Sequence, residues 1–163
     1  MGYEYGVWLL PEQNVGENIV KTYNIRPHIR HITVACNMTR DNANLLLKRL
    51  INESIVPSRA EIIGRMERFP SLYGKDCVYA AGWYLHIHNW HLLKSMVDDI
   101  GTFSIEPHLS LVYSVKEIGD NLFNHLLQVE PHLSSQREFS LTPAIANITS
   151  NNSWEWSLKS VLI

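Results

Sequence analysis

Two four-residue stretches, His31-Ile32-Thr33-Val34 and His108-Leu109-Ser110-Leu111, repeat one pattern of histidine, apolar, hydroxyl, apolar. Apolar and polar residues alternate with the two-residue period of a strand, which sends successive side chains to opposite faces. Ile32 and Val34 are thereby directed into a core, with His31 and Thr33 on the other face. Leu109 and Leu111 lie beneath His108 and Ser110 in the same way. Each strand then presents an imidazole beside a hydroxyl. Two such pairs facing one cleft supply two proton-transfer groups and two neutral hydrogen-bond donors, a set suited to acid/base chemistry on a phosphate ester.

Around these stretches the chain alternates strands and helices. Residues 3–10, rich in aromatic and aliphatic side chains, predict a first strand ended by Pro11. Val15, Ile19, Val20 and Tyr23 fall at helical spacing and predict a short amphipathic helix over 14–23, closed by Arg26-Pro27. After a histidine strand over 31–36, Thr39 is the expected N-cap of a second helix. That helix has Asp41 in its first turn, a buried stripe of Leu45, Leu46, Leu47, Leu50 and Ile51, and a stop before Pro57. Strands over 58–69 and 77–88 enclose a turn marked by Pro70, Gly74 and Lys75-Asp76. Asn89 is expected to cap a helix carrying Trp90, Leu93, Met96, Val97 and Ile100, ended by Gly101. The second histidine strand, 108–113, follows Pro107. Ser114 and Glu117 have capping-box spacing ahead of a helix with Ile118, Leu122, Phe123, Leu126 and Leu127 turned inward. Strands over 138–148 and 154–163 close the chain, the last with Trp154, Trp156, Leu158, Ser160 and Leu162 on one parity.

Each half thus runs strand, helix, histidine strand, helix, strand. Gly6 precedes His31 by 25 positions and Gly82 precedes His108 by 26, a match in order and spacing that indicates an internal duplication. The expected architecture is α+β, one domain over 1–163. It comprises two pseudo-symmetric lobes, each an antiparallel sheet with flanking helices, around a central groove. In that arrangement Trp8 corresponds to Tyr84, and both are either aromatic platforms lining the groove or plain core aromatics.

Charged residues make up 18% of the chain and the formal net charge is −2, which argues against a sustained grip on long duplex nucleic acid and favours a small phosphorylated ligand. Cys36 and Cys77 are too few for a disulfide framework. Reduced thiols are the default, with one bridge left open. The N-terminus lacks a basic region followed by a long apolar run, and no stretch approaches about 18 consecutive apolar residues. A cytoplasmic, monomeric protein with no membrane partner is expected.

These residues resemble the 2H phosphoesterase superfamily, named for two His-apolar-Thr/Ser motifs. The resemblance extends from Val7-Trp8-Leu9-Leu10-Pro11, through His31-Ile32-Thr33-Val34-Ala35 and Pro107-His108-Leu109-Ser110-Leu111-Val112-Tyr113, to the closing Trp154-Glu155-Trp156. It is most similar to the small 2',3'-cyclic nucleotide phosphodiesterases of the plant and yeast type. The two motifs stand 77 positions apart. The resemblance implies hydrolysis of nucleoside or ADP-ribose cyclic phosphates, or of cyclic-phosphate RNA ends, with no metal and no other cofactor. It implies His108 as the base that activates water and His31 as the acid that protonates the leaving ribose oxygen. Thr33 and Ser110 donate to the phosphoryl oxygens. Tyr113 is similar to the family's tyrosine that helps bind phosphate or base. In a regular strand its parity is wrong for the His108 face, so a bend is required.

Other histidines are weaker candidates. Pro131-His132-Leu133-Ser134 repeats residues 107–110 but lacks the following buried alternation and reads as a loop. His86, His88 and His91 cluster without cysteine or acidic companions, and read as pocket lining or surface rather than a metal site. Arg26, His28 and Arg30 read as a solvated loop, with polyanion contact as the alternative. Two competing functions remain: cleavage of cyclic or 2',5'-linked oligonucleotide immune signals, and a non-catalytic module that holds nucleotides or RNA ends.

Overall fold

The computed structural model describes residues 4–12, 29–70, 79–114, 118–133, 137–148 and 157–161. The helix expected over 14–23, Arg26, His28, Cys77, Trp154 and Trp156 lie outside the described residues, as does the turn between the two strands expected before and after it. Among the described residues, strands β1 (Tyr5–Pro11), β2 (Ile32–Met38), β3 (Arg59–Pro70), β4 (Tyr79–His86), β5 (Thr102–Phe103), β6 (His108–Ser114), β7 (Glu138–Asn147) and β8 (Ser157–Val161) are interspersed with three helices. The helices are α1 (Arg40–Asn52), α2 (Lys94–Val97, preceded by a 3₁₀ turn over Trp90–Leu93) and α3 (Asp120–Leu133). The result is an α+β fold built on one curled antiparallel sheet.

Seven strands follow the order β5-β2-β1-β7-β3-β4-β6, and β8 pairs β7 outside that path. β7 joins the two halves. Its first residues pair β3, Ser140 opposite Arg59 and Glu138 opposite Glu61. The remainder pairs β1, from Leu141 opposite Pro11 to Asn147 opposite Tyr5.

One face of the sheet carries the main core. Val7, Leu9, Ile32, Val34, Ala60, Ile62, Trp83, Leu85, Leu109, Leu111 and Phe139 are buried there with Leu46, Leu47 and Leu50 of α1, Leu93 and Val97 before and within α2, and Leu126 of α3. The alternation in both histidine stretches therefore works as the sequence predicts, since all four of its apolar residues belong to this core. A smaller cluster forms around Trp8 and Ala146, with Leu10, Ile29, Ile148 and Leu158 packed against it. Leu158 thus faces inward as its parity requires.

The curl follows from chain connectivity. β5 pairs the outer edge of β2, Ala35 opposite Phe103 and Cys36 opposite Thr102. The Ser104 amide then donates to the Val34 carbonyl at 3.0 Å. Only residues 104–107 separate this point from β6, and a chain that short spans at most about 18 Å. β2 and β6, far apart in the strand order, are thereby drawn to within 8 Å of each other between Cα atoms.

Several local expectations need correction. Thr39 does cap α1, its hydroxyl accepting from the Asn42 amide at 3.1 Å. Of the five residues expected in its stripe, however, Leu45 and Ile51 are exposed and Ala43 is buried instead. An apolar sector of one helix face cannot hold five such neighbours at once. Asn89 does not cap with its side chain; it adopts a left-handed conformation (φ 57°) and opens a 3₁₀ turn in place of a full helix. Ser114 ends β6, and α3 starts only at Asp120, so the capping-box reading fails. Pro131-His132-Leu133 is the end of α3 rather than a loop, which equally removes it as a motif strand. Cys36 is buried, its thiol directed to the Thr102 carbonyl at 3.9 Å. No helix among the described residues is long and apolar enough to cross a membrane.

Candidate active site

Strand register places both motifs on the same face of the sheet. Thr33 lies opposite Trp8 and Trp8 opposite Ala144. Along β7 that phase continues through Thr142 to Ser140, which lies opposite Arg59. Along β3 it continues through Glu61 to Ile63, opposite Tyr84, and Tyr84 lies opposite His108 while Gly82 lies opposite Ser110. Because neighbouring positions across a ladder share a face and alternate along each strand, Thr33, Ser110 and His108 project from the face opposite the main core. His31, two residues before Thr33 at the entrance to β2, has the same phase.

Each motif strand carries the same irregularity after its hydroxyl. In β2 one extra residue, Val34, separates Thr33 opposite Trp8 from Ala35 opposite Val7. In β6 the extra residue is Leu111, between Ser110 opposite Gly82 and Val112 opposite Ala81. These are β-bulges, which add local twist and re-aim the strand. The second one brings position 113 into phase with 108 and 110, since Tyr113 falls opposite Ala80. The bend required for Tyr113 is therefore present in the backbone; its side chain lies outside the described residues. The bulge also explains Gly82: a Cβ there would run into the Leu109 carbonyl and lie 2.9 Å from the Ser110 Cα. By register Trp8 is the counterpart of Gly82, not of Tyr84.

Both histidines are held by one device. His31 Nδ1 donates to the Ile29 carbonyl at 2.7 Å, and His108 Nδ1 donates to the Glu106 carbonyl at 2.9 Å. A carbonyl oxygen only accepts, so Nδ1 carries the hydrogen in each ring, and in the neutral tautomer the lone pair resides on Nε2. His31 is 7% exposed and stacks on Trp8, ring centroids 3.6 Å apart and planes within 11°. Trp8 is itself 1% exposed and supports His31 as a floor instead of lining a groove. His108 is half-buried and meets Tyr84 edge to face at 6.4 Å. Ser110 is 5% exposed and Thr33 half-buried.

Burial, then the nearby Glu106 and Glu67 carboxylates, push the Tyr84 phenol above its ordinary range, which keeps it a protonated donor at neutral pH. His86, His88 and His91 are all exposed around the Asn89 turn, and among the described residues no three histidine, cysteine or acidic side chains converge as a metal site. Arg30 is half-buried just ahead of the first motif.

Sequence reasoning missed Ile29 and Glu106. Both act through main-chain carbonyls, so side-chain identity carries no signal for them. The available clue was positional: each stands two residues before a motif histidine.

No family model and no curated protein sequence matches the chain. Among solved structures it is similar to Usb1 of Kluyveromyces marxianus with uridine monophosphate, with a TM-score of 0.56 at 9% identity over 91% of this chain and 96% of that chain. A second structure of Kluyveromyces marxianus Usb1 gives a TM-score of 0.51 at 13% identity, with the same coverage of both chains. At these identities what is shared is the fold.

Proposed function

We propose that the chain is a metal-independent phosphodiesterase that opens cyclic phosphodiesters by two-histidine acid/base catalysis. Its substrates are nucleoside 2',3'-cyclic phosphates or RNA ends that bear them. The observation that carries this reading is the twin lock on His31 and His108: the same Nδ1-to-carbonyl bond, on one sheet face, in two strands that the 104–107 link draws together. The groove lies between two arms that arose by duplication, each contributing an imidazole, a hydroxyl and a bulge.

His108 acts as the base. Its Nε2 removes a proton from water, whose oxygen forms a new bond to phosphorus. The bond from phosphorus to one ribose oxygen breaks, and protonated His31 delivers its Nε2 proton to that oxygen. The Thr33 and Ser110 hydroxyls donate to the non-bridging oxygens, where negative charge builds in the transition state. Tyr84 and Tyr113 contact the substrate beside His108. The fold shared with Usb1, solved with uridine monophosphate, supports a nucleotide ligand.

The test is incubation with a 2',3'-cyclic mononucleotide in chelator, with the monophosphate product followed by phosphorus NMR and a cyclic dinucleotide run in parallel. His31→Ala and His108→Ala should each lower turnover by about 10²-fold or more while retaining the wild-type melting temperature. A single variant with near-normal turnover removes that histidine from the mechanism. Consumption of the dinucleotide alone replaces the substrate assignment, and binding without turnover by the wild type replaces the enzymatic reading.

A further inference from the structure

A cleft of about 360 Å³ opens directly beside His108, lined by Ile63, Gly64, Glu67, Tyr84, Leu85, Ile105, Glu106 and Pro107. Its volume lies in the range of small-molecule sites. Its walls are unusual for a water-facing surface: Ile105 is 73% exposed and Ile63 48% exposed. They flank Tyr84, whose ring touches His108. The rim is acidic, and neither Glu67 nor Glu106 forms an ion pair with another described residue.

The cleft is shaped by the backbone. Between Ile63 opposite Tyr84 and Glu67 opposite Gly82, β3 carries a bulge. Gly64 turns through it at φ 69°, a conformation that suits glycine. Arg137 fixes this bulge by donating to the Gly64 carbonyl at 2.7 Å and the Ile62 carbonyl at 3.1 Å. On the opposite wall, Glu106 is anchored because its own carbonyl holds His108.

Resting on the function proposed above, we infer that this cleft is the nucleobase subsite and that its carboxylates select guanine. Flat apolar walls at Ile63, Ile105 and Tyr84 suit any base. Carboxylates are acceptors only, so they favour a base edge rich in donors. Guanine presents N1–H and N2–H side by side, matching both oxygens of one carboxylate in a charge-assisted pair. Uracil offers a single N3–H between two carbonyl oxygens, which face the carboxylate as acceptor against acceptor. A polar edge left unmatched costs more discrimination than a missing apolar contact.

The test compares kcat/KM for guanosine and uridine 2',3'-cyclic phosphates in the wild type, Glu67→Gln, Glu106→Gln and the double variant. Glu106→Gln retains the backbone carbonyl that holds His108. The wild type should prefer guanosine by about tenfold, and the double variant should bring the ratio to within twofold of unity. A wild-type ratio near unity, or a preference that survives both substitutions, overturns the inference. Equilibrium binding of guanosine and uridine 3'-monophosphates separates this from the enzymatic reading. If no cyclic nucleotide is hydrolysed but guanosine 3'-monophosphate binds tighter and loses that advantage in the double variant, the subsite stands and the phosphodiesterase does not. Equal binding, or none, overturns the subsite.

Discussion

Replacing Gly82 with alanine should detach chemistry from folding. The added methyl would enter the van der Waals shell of the Leu109 carbonyl oxygen and lie 2.9 Å from both the Leu109 carbonyl carbon and the Ser110 Cα. Relief requires β6 to move away from β4 by about 1 Å, and β6 can do so because it is the last strand of the sheet path and pairs only β4. His108 and Ser110 move with it, whereas Thr33 in β2 and His31 at its entrance stay with β1. A displacement of that size at reacting groups costs about 10²-fold in rate. Overpacking of this kind costs about 1–3 kcal/mol in stability. Turnover of a 2',3'-cyclic mononucleotide at saturation, with a thermal melt, measures both. Gly119→Ala is the control, since no atom lies within 4 Å of a Cβ there. If Gly82→Ala retained turnover within threefold of wild type with an unchanged melt, the positioning role assigned to the bulge would be refuted.

Three further outcomes are expected. Thr39→Ala removes the hydroxyl that accepts the Asn42 amide and should destabilise the fold by about 1 kcal/mol in a denaturant titration, with no effect on turnover. Trp8→Leu removes the floor beneath His31 and should lower kcat about tenfold with little change in KM; unchanged kcat would show that the Ile29 carbonyl alone orients the ring. Asp99 is held below its ordinary value of 3.8 by the Arg49 hydrogen bond, so the pair stabilises the fold above that pH and the contribution fades as the carboxylate is protonated. Asp99→Asn should therefore lower the melting temperature at pH 7, with the gap to wild type closing below pH 3.8; a constant gap across the acid range would contradict the assignment. The effect is small because both side chains are substantially exposed.

The faces of the two histidine strands were legible because a two-residue period separates Ile32 and Leu109 from Thr33 and Ser110 without reference to the rest of the chain. The Thr39 cap was legible for a similar reason, since the hydroxyl acts on an amide three positions away. Bulges leave no such mark. The extra residues, Val34 and Leu111, are apolar like their neighbours. Aligning the halves by residue spacing matched Trp8 with Tyr84 when the ladders match it with Gly82, because Trp8 precedes its partner Thr33 by 25 positions and Gly82 precedes its partner Ser110 by 28. The 89–101 segment had helical spacing, yet Asn89 took a left-handed conformation and only one α-helical turn formed, at Lys94–Val97. The meeting of β2 and β6 depends on β5, a two-residue strand too short to register as a periodic signal.

β7 sets a parity rule for the whole molecule. It hands hydrogen bonding from β3 to β1 between Ser140 and Leu141, so the two halves keep a common phase only through an unbroken count along that strand. Inserting a single residue there would rotate one half's outward set to the inward side, parting the imidazoles by the thickness of a sheet, whereas inserting two would restore the phase. At that junction an odd change in length therefore has to be absorbed by a bulge, as in β2 and β6, whereas an even one keeps the phase by itself.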